Sequence, residues 1–233
     1  MPSTYIDLCN KVLRRLNEVE IAIGDFPTVR GVQALVKDSV RSSIAKINQA
    51  EFEWPFNSAE HAETLVAGQT EYTWPQYFKV VDWNSFQIQK DESLGASFKS
   101  LSVIDRDIWY KKHRDADYEA GTPGRGIPDH VFPSHGNGYG VTQSPNAAYR
   151  IKFRYYLNYS DLTNYNDVTR VPESFDTVVI DGALYHLYMF KDNLESAQAA
   201  FMAFEAGIKD LQTLYINQYQ SISDTRINTR TRF

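Results

Sequence analysis

The sequence predicts an α+β fold: a four-helix core built from the N- and C-terminal helices, an antiparallel β domain inserted between them, and an extended C-terminal arm. Three observations predict it. Apolar residues recur at helical spacing only before residue 55 and after residue 171, the mark of helices with one buried face. Between those limits the spacing shortens to two and turn residues multiply, as in strands joined by loops. The final stretch has neither period. The expected ranges are 1–57 and 171–220 for the helical core, 58–170 for the inserted β domain and 221–233 for the arm.

The first helix is expected to start at Ser3 or Thr4, either of which can cap it, and to run through Tyr5, Leu8, Val12, Leu16 and Val19. Gly24-Asp25-Phe26-Pro27 breaks it. Thr28 can cap a second helix whose apolar face is Val29, Val32, Val36, Val40, Ile44 and Ile47. Trp54-Pro55 stops that helix, because proline disfavours helical geometry in the residue before it.

In the middle region, Thr64–Val66, Ala67-Gly68-Gln69 and Thr70–Trp74 read as a hairpin with a glycine turn. Phe78 to Gln89 reads as one strand, Leu101 to Val103 as another, and Asp105 to Tyr118 as a short polar helix. Residues 121–140 are loop-rich, with short strands around Val131-Phe132 and Tyr139–Val141. Ala148 to Leu157 alternates most cleanly, setting Tyr149, Ile151, Phe153 and Tyr155 opposite Arg150, Lys152 and Arg154.

Helical period returns at 171. Pro172 suits a first helical position, and Phe175, Val178, Val179, Ala183, Leu184 and Leu187 extend the helix to about Phe190. Asp192 or Asn193 caps the next. There Leu194, Ala197, Phe201, Phe204, Ile208, Leu211 and Tyr215 form a heptad-spaced seam expected to be core.

Composition narrows the function. The chain has 233 residues and a formal net charge of −5, a poor balance for a protein whose main task is gripping nucleic acid. Its single cysteine, Cys9, excludes a disulfide-stapled scaffold. No apolar run is long enough for a membrane span, and Met1–Tyr5 does not begin a signal peptide. The unusual figure is 14% aromatic residues, a class over-used at interfaces.

Catalytic chemistry is hard to find. The histidines at 61, 113, 130, 135 and 186 have no ligand partners at metal-site spacing, so no metal and no cofactor are expected. Asp105/Asp107 and Asp115/Asp117 lie among Lys111, Lys112 and Arg114 and read as a solvated charged face rather than an acid–base pair. Cys9 sits on a helix with no histidine beside it. Gly121–Gly126 lacks the ending of a phosphate loop, and no helix follows Gly136–Gly140, so both strings read as turns. Arg150, Lys152 and Arg154, interleaved with tyrosines, have the pattern of a nucleic-acid contact, but such a face is more often the solvated side of a sheet. No enzyme is expected.

Several phrases, in order along nearly the whole chain, resemble the phage head-to-tail adaptors, also called tail tubular protein A or gatekeeper proteins. They are Glu53-Trp54-Pro55-Phe56-Asn57; Ala67–Tyr72 with Trp74-Pro75; Gly121-Thr122-Pro123; Tyr149–Tyr156; and Val171–Phe175 with Asp181–Tyr185. The resemblance implies a virion structural protein at the head–tail junction, assembled in the host cytoplasm. It implies a ring of identical subunits, twelve in the family, that contacts the portal protein and a tail or nozzle protein. Viral DNA would pass through the channel without specific binding, and no membrane is involved. The C-terminal arm would bind the portal through Ile222, Arg226, Ile227, Arg230, Arg232 and Phe233, as arginine forks meeting carboxylates and apolar side chains filling small pockets. Net acidity agrees with a conduit that DNA must not stick to. The β region is longer than expected for short-tailed members, which leaves the tail-side partner open. The competing class is a carbohydrate- or receptor-binding β module of a phage tail, suggested by Trp74, Trp83 and Trp109.

Overall fold

Chain order already separates the helices from the strands. In a computed structural model that describes residues 3–89, 98–119, 125–158 and 162–216, two helices precede every strand and two long helices follow them. The fold is α+β. Contacts divide the chain into two compact units, one of 1–57 with 159–233 and one of 58–158. Residues 162–170, which sequence pattern assigns to the β region, cluster with the helices by these contacts; Leu162 is buried in the helical core.

In the helical unit, α1 (Tyr5–Arg15) begins at a capping box: Thr4 accepts from the Asp7 amide while the Asp7 carboxylate accepts from the Thr4 amide. It ends sooner than its apolar spacing predicts. Asn17 takes a left-handed φ of 56° and donates to the Arg14 carbonyl, and the Glu18 amide donates to that of Leu13. These bonds close a Schellman cap, leaving Val19 outside the helix and 79% exposed. Helix α2 (Val32–Ala50) starts after Gly31 rather than at Thr28, which instead closes a turn onto Asp25. Trp54 is fully buried beyond its end, with its indole N–H donating to the Ile47 carbonyl at 2.8 Å.

A 3-10 turn at Glu173–Phe175 leads into α5 (Asp176–Phe190), later than the start expected at Pro172. A second Schellman cap, with Asp192 at a φ of 55°, ends α5. The next residue, Asn193, caps α6 (Leu194–Tyr215) by accepting from the Ser196 amide. Helices α1, α2, α5 and α6 all contribute to one buried cluster. Their crossings are close because small residues occupy them: a Cβ on Gly182 would lie 2.3 Å from the Ser43 hydroxyl and 2.7 Å from the Phe204 ring. Of the expected α6 seam, Ala197, Phe204, Ile208 and Leu211 are buried, but Leu194 and Phe201 are exposed.

The other unit consists of two sheets. Strand β9 (Arg150–Leu157) is the spine of the first, pairing along one edge with all of β1 (Ser58–Thr64). Its other edge is shared by β3 (Phe78–Val81) and β4 (Gln87–Gln89), and β4 pairs in turn with β5 (Phe98–Ser100). The span from Phe78 to Gln89 is therefore two strands, not one. Asp82 caps a 3-10 turn at Trp83–Ser85, and the Ser85 hydroxyl, accepting from the Arg154 amide at 2.8 Å, replaces the missing ladder bond.

The second sheet runs β2 (Glu71–Thr73), β8 (Gly138–Thr142), β7 (His130–Pro133), β6 (Ser102–Val103), with β6 parallel to β7 and the other pairs antiparallel. The hairpin expected across Gly68 does not form, because β1 and β2 belong to different sheets. Between them Gly68, at a φ of 81°, turns the chain from one layer to the other. The Tyr72 hydroxyl latches this corner by accepting from the Val66 amide and donating to the Gln69 carbonyl, both at 3.0 Å. The single polar helix expected over 105–118 is two short ones, α3 (Arg106–Lys112) and α4 (Arg114–Glu119).

Candidate functional site

The groups that could do chemistry are placed in ways that occupy them structurally. Cys9 is fully buried in α1, and burial pushes its thiol up to about 12, so no thiolate is available at neutral pH. Asp105 caps α3 by accepting from the Asp107 amide. Asp115 is exposed beside Arg114, but Asp117, read from sequence as part of a solvated face, is buried. Its two carboxylate oxygens accept from the Trp109 indole N–H at 2.8 Å and the Ser144 amide at 3.0 Å. Alternation of charge around 105–118 hides this role; the one sequence signal is a Trp and an Asp eight residues apart.

The histidines do not converge. His61 lies against the Phe153 ring, its Nε2 3.6 Å from the Glu63 carboxylate. His130 pairs with Asp129 and stands 6.3 Å from the His113 ring, and His135 adjoins Tyr110. His186 is half-buried against Tyr185, and burial, with Lys46 nearby, holds its pKa below the usual imidazole value. Among the described residues no group of three or more His, Cys, Asp or Glu is arranged to hold a metal ion.

The glycine strings behave as packing devices where they are described. A Cβ on Gly138 would strike the Tyr72 carbonyl, and one on Gly140 would enter the Phe132 ring. Residues 121–124 lie outside the described part. The basic strand face is partly neutralised: Arg154 is paired with Asp82 and stands opposite Glu60, while the Lys152 ammonium sits 4.1 Å from the Phe98 ring centre.

Nor do the tryptophans form a platform for sugars. Trp109 is buried, stacked 4.2 Å from the Phe132 ring. Trp74 and Trp83 are half-buried and pack on the core between the two sheets, with Trp74 stacked 4.3 Å from Phe78.

What the helical unit does present is apolar surface. Met189 and Phe190 at the end of α5, and Leu194, Phe201 and Met202 on α6, are all exposed; Phe190 is 68% exposed, Leu194 66% and Met202 65%. Phe201 keeps part of its ring against Tyr185, 5.1 Å away, and the other four are among the larger apolar side chains that these two helices leave to solvent. The other end of α6 is anchored, since Tyr215 sets its ring against those of Phe56 and Phe175. Phe56 in turn stacks on Trp54, and Asn57 donates to Asn48, so the Trp54–Asn57 string ties the end of α2 to the end of α6. The six residues expected to meet the portal, Ile222, Arg226, Ile227, Arg230, Arg232 and Phe233, lie outside the described residues.

The ionisable groups described above serve in caps and cores, and the helical unit carries exposed apolar side chains. The chain belongs to the SU10 adaptor protein family, whose family model matches residues 3–230. No curated protein matches it. The family is one of phage adaptors, a structural and generally non-enzymatic class, and the protein is accordingly a structural component of a virion. As an adaptor it interacts with other virion components. No helix among the described residues is long and apolar enough to cross a membrane.

Proposed function

We propose that the protein is a head-to-tail adaptor that forms a ring of twelve copies beneath the portal, joins capsid to tail, and lets DNA pass through its channel without specific binding. The observation that carries this reading is the family match, which runs through both units and into the C-terminal segment as far as residue 230. Two further features support it. The net charge of −5 disfavours adhesion of DNA phosphates to the protein. The exposed apolar residues of α5 and α6 supply the kind of surface that subunit and partner contacts bury. In this reading the helical core and the inserted β domain are separate modules, and 221–233 is the arm that docks on the portal.

The test is truncation after Gln220. The shortened protein should melt like the full chain yet fail to join portal-bearing heads in a reconstitution followed by sedimentation. If it docks normally, the arm and its six contact residues are ruled out. If the full chain also fails to join such heads, the adaptor role at the portal is ruled out with it.

A further inference from the structure

Strand β1 is the longest outer strand of the two sheets, and only one of its edges is used. All of its residues pair with β9. Among the described residues no strand lies along its other edge. Two sets of bonds fix which backbone groups face outward. The Leu65 amide donates to the Tyr149 carbonyl at 2.8 Å, so the ladder to β9 runs through residues 59, 61, 63 and 65. On β9, Arg154 turns its amide and carbonyl the other way, to Ser85 and Asp82, so its partner Glu60 makes no ladder bond. Ser58, Glu60, Ala62 and Thr64 therefore direct their N–H and C=O groups away from the sheet. Glu60, Ala62 and Thr64 are exposed.

An outer strand is a template for another extended chain unless something blunts it. The other outer strands, β2, β3, β5 and β6, are short, and β3, the longest of them, carries a shift of register. Strand β1 has neither safeguard: its 7 residues keep one register throughout and include no proline, glycine or lysine. Its two carboxylates are engaged within the unit. Glu60 stands opposite Arg154, and Glu63 accepts from the Tyr139 hydroxyl at 2.5 Å. The order of residues in β1 then identifies the incoming strand. Backbone pairing needs the outward residues of both strands to face one another. Laid antiparallel on itself about His61, β1 sets Ser58 against Thr64 and Glu60 against Ala62, each twice. Every outward group is then paired, and no carboxylate directly faces another. A two-residue slip one way would set Glu60 against Glu60, which repels; the same slip the other way leaves Ser58 without a partner in the strand.

We propose that the free protein pairs through the open edge of β1, with the β1 strand of a second copy as the occupant. The two sheets then continue into one another across a two-fold axis at His61. A two-fold contact closes on itself, so it differs from the head-to-tail contacts of a ring. It uses the β unit alone and goes beyond the adaptor role proposed above.

Sedimentation velocity of the full-length chain over a concentration series should show a monomer–dimer equilibrium. Ala62 supplies a test of sign, because in the dimer it faces Glu60 of the partner subunit, whereas within its own chain it stands opposite Lys152. Ala62→Lys should strengthen dimerisation about five-fold and Ala62→Glu weaken it about five-fold, since each change acts twice across the axis. An effect confined to one subunit runs the other way, because Lys152 repels a lysine at that position and attracts a glutamate. Facing residues that share no backbone bonds approach to about 4.5 Å between Cα atoms, within disulfide reach. His61→Cys should therefore give a disulfide-linked dimer under mild oxidation; buried Cys9 does not compete. Ala62→Cys, offset by two residues from its symmetry mate, lies beyond that reach and should not. Monomer at all concentrations, closed rings instead of dimers, a cross-link at Ala62→Cys rather than at His61→Cys, or charge variants of Ala62 that leave association unchanged or shift it the other way would each overturn the proposal.

Discussion

The two units of this protein fill their interiors by different means. The helical unit is largely aliphatic: Leu8, Val12 and Leu13 of α1 meet Val36, Val40, Ile44 and Ile47 of α2 and Val179, Ala183 and Leu187 of α5. Its helices come close because Ser43, Gly182 and Gly207 stand where they cross. The β unit relies on rings. Phe153 of β9 lies 4.5 Å from Phe86, 5.3 Å from Tyr139 of the facing sheet and 5.8 Å from Trp74, so one side chain joins both layers. Much of the high aromatic content is therefore core rather than interface, and exposed apolar side chains occur in both units, Phe190 and Met202 in one and Val66 and Tyr77 in the other among them. Close backbone approach lets aliphatic and small side chains fill the helical unit, whereas the β unit spans its two sheets with large rings.

Removing the central ring should give the largest effect. Phe153→Ala empties the centre of the stack and should cost about 3–5 kcal/mol. Near-ultraviolet circular dichroism reports the aromatic stack, and the signal at 222 nm reports the helices. In this variant the near-ultraviolet transition should fall well below the helical one. Equal losses in both signals would mean that the two interiors melt as one and that the contrast has no energetic content.

The complementary change is Gly182→Ala. Alanine at a helix interior normally gains about 1 kcal/mol over glycine. Here the added methyl meets the Ser43 hydroxyl and the Phe204 ring well inside contact distance, so overpacking wins and a net loss of about 1–2 kcal/mol is expected, confined to the 222 nm transition. A stabilised variant would show that the α2–α5–α6 crossing is looser than described.

The same contrast explains what could be read from sequence. Helix period depends on residues three and four apart, so the long helices and most of their inner faces were legible, with two of the caps narrowed to pairs, Ser3 or Thr4 and Asp192 or Asn193, of which Thr4 and Asn193 serve. Strand pairing depends on residues far apart. Ser58 pairs with Tyr156, and nothing near Thr64 shows that β1 and β2 part company at Gly68 to join different sheets. The alternation of β9 was legible because β1 covers nearly its whole length on one edge, whereas the break at Asp82–Ser85 on the other edge was not, because a side-chain hydroxyl completes the ladder there. On α6 the heptad seam took Leu194 and Phe201 as core, but a strict seven-residue repeat drifts by about 20° per heptad on a straight helix and carries those two to the edge of the buried face. Asp117 was hidden by its charged neighbours, and the arm residues stand or fall by the family likeness alone.

The smallest effects should appear at the extremes of pH, and they should separate the two units. In the helical unit, the hydrogen bond from Thr4 holds the Asp7 carboxyl below its usual range of about 3.8, and the amides of Asn164 and Thr163 do the same for Asp167. These residues secure one junction, where the Tyr5 amide donates to the Asp167 carbonyl at 2.7 Å and the Ile6 amide to that of Tyr165 at 3.1 Å. A carboxyl with a lowered folded pKa binds fewer protons folded than unfolded, so its stabilisation is complete above about pH 4 and fades as pH falls through the folded value. Both groups are largely solvated, so the loss is small and salt-screened. In the β unit the sign reverses. Burial, and then the negative charge of neighbouring Glu63, which accepts a hydrogen bond from the hydroxyl, raise the Tyr139 pKa far above 10; burial raises that of Tyr72. A phenol kept neutral when folded stabilises fully below pH 10 and loses that advantage as pH rises beyond it. Thermal melts should therefore show the 222 nm transition falling first below pH 4, and the near-ultraviolet transition falling first above pH 10. Asp7→Asn with Asp167→Asn should flatten the acid limb, and Tyr139→Phe the alkaline one. An unchanged acid limb in the double variant would place the acid-sensitive contacts elsewhere in the helical unit.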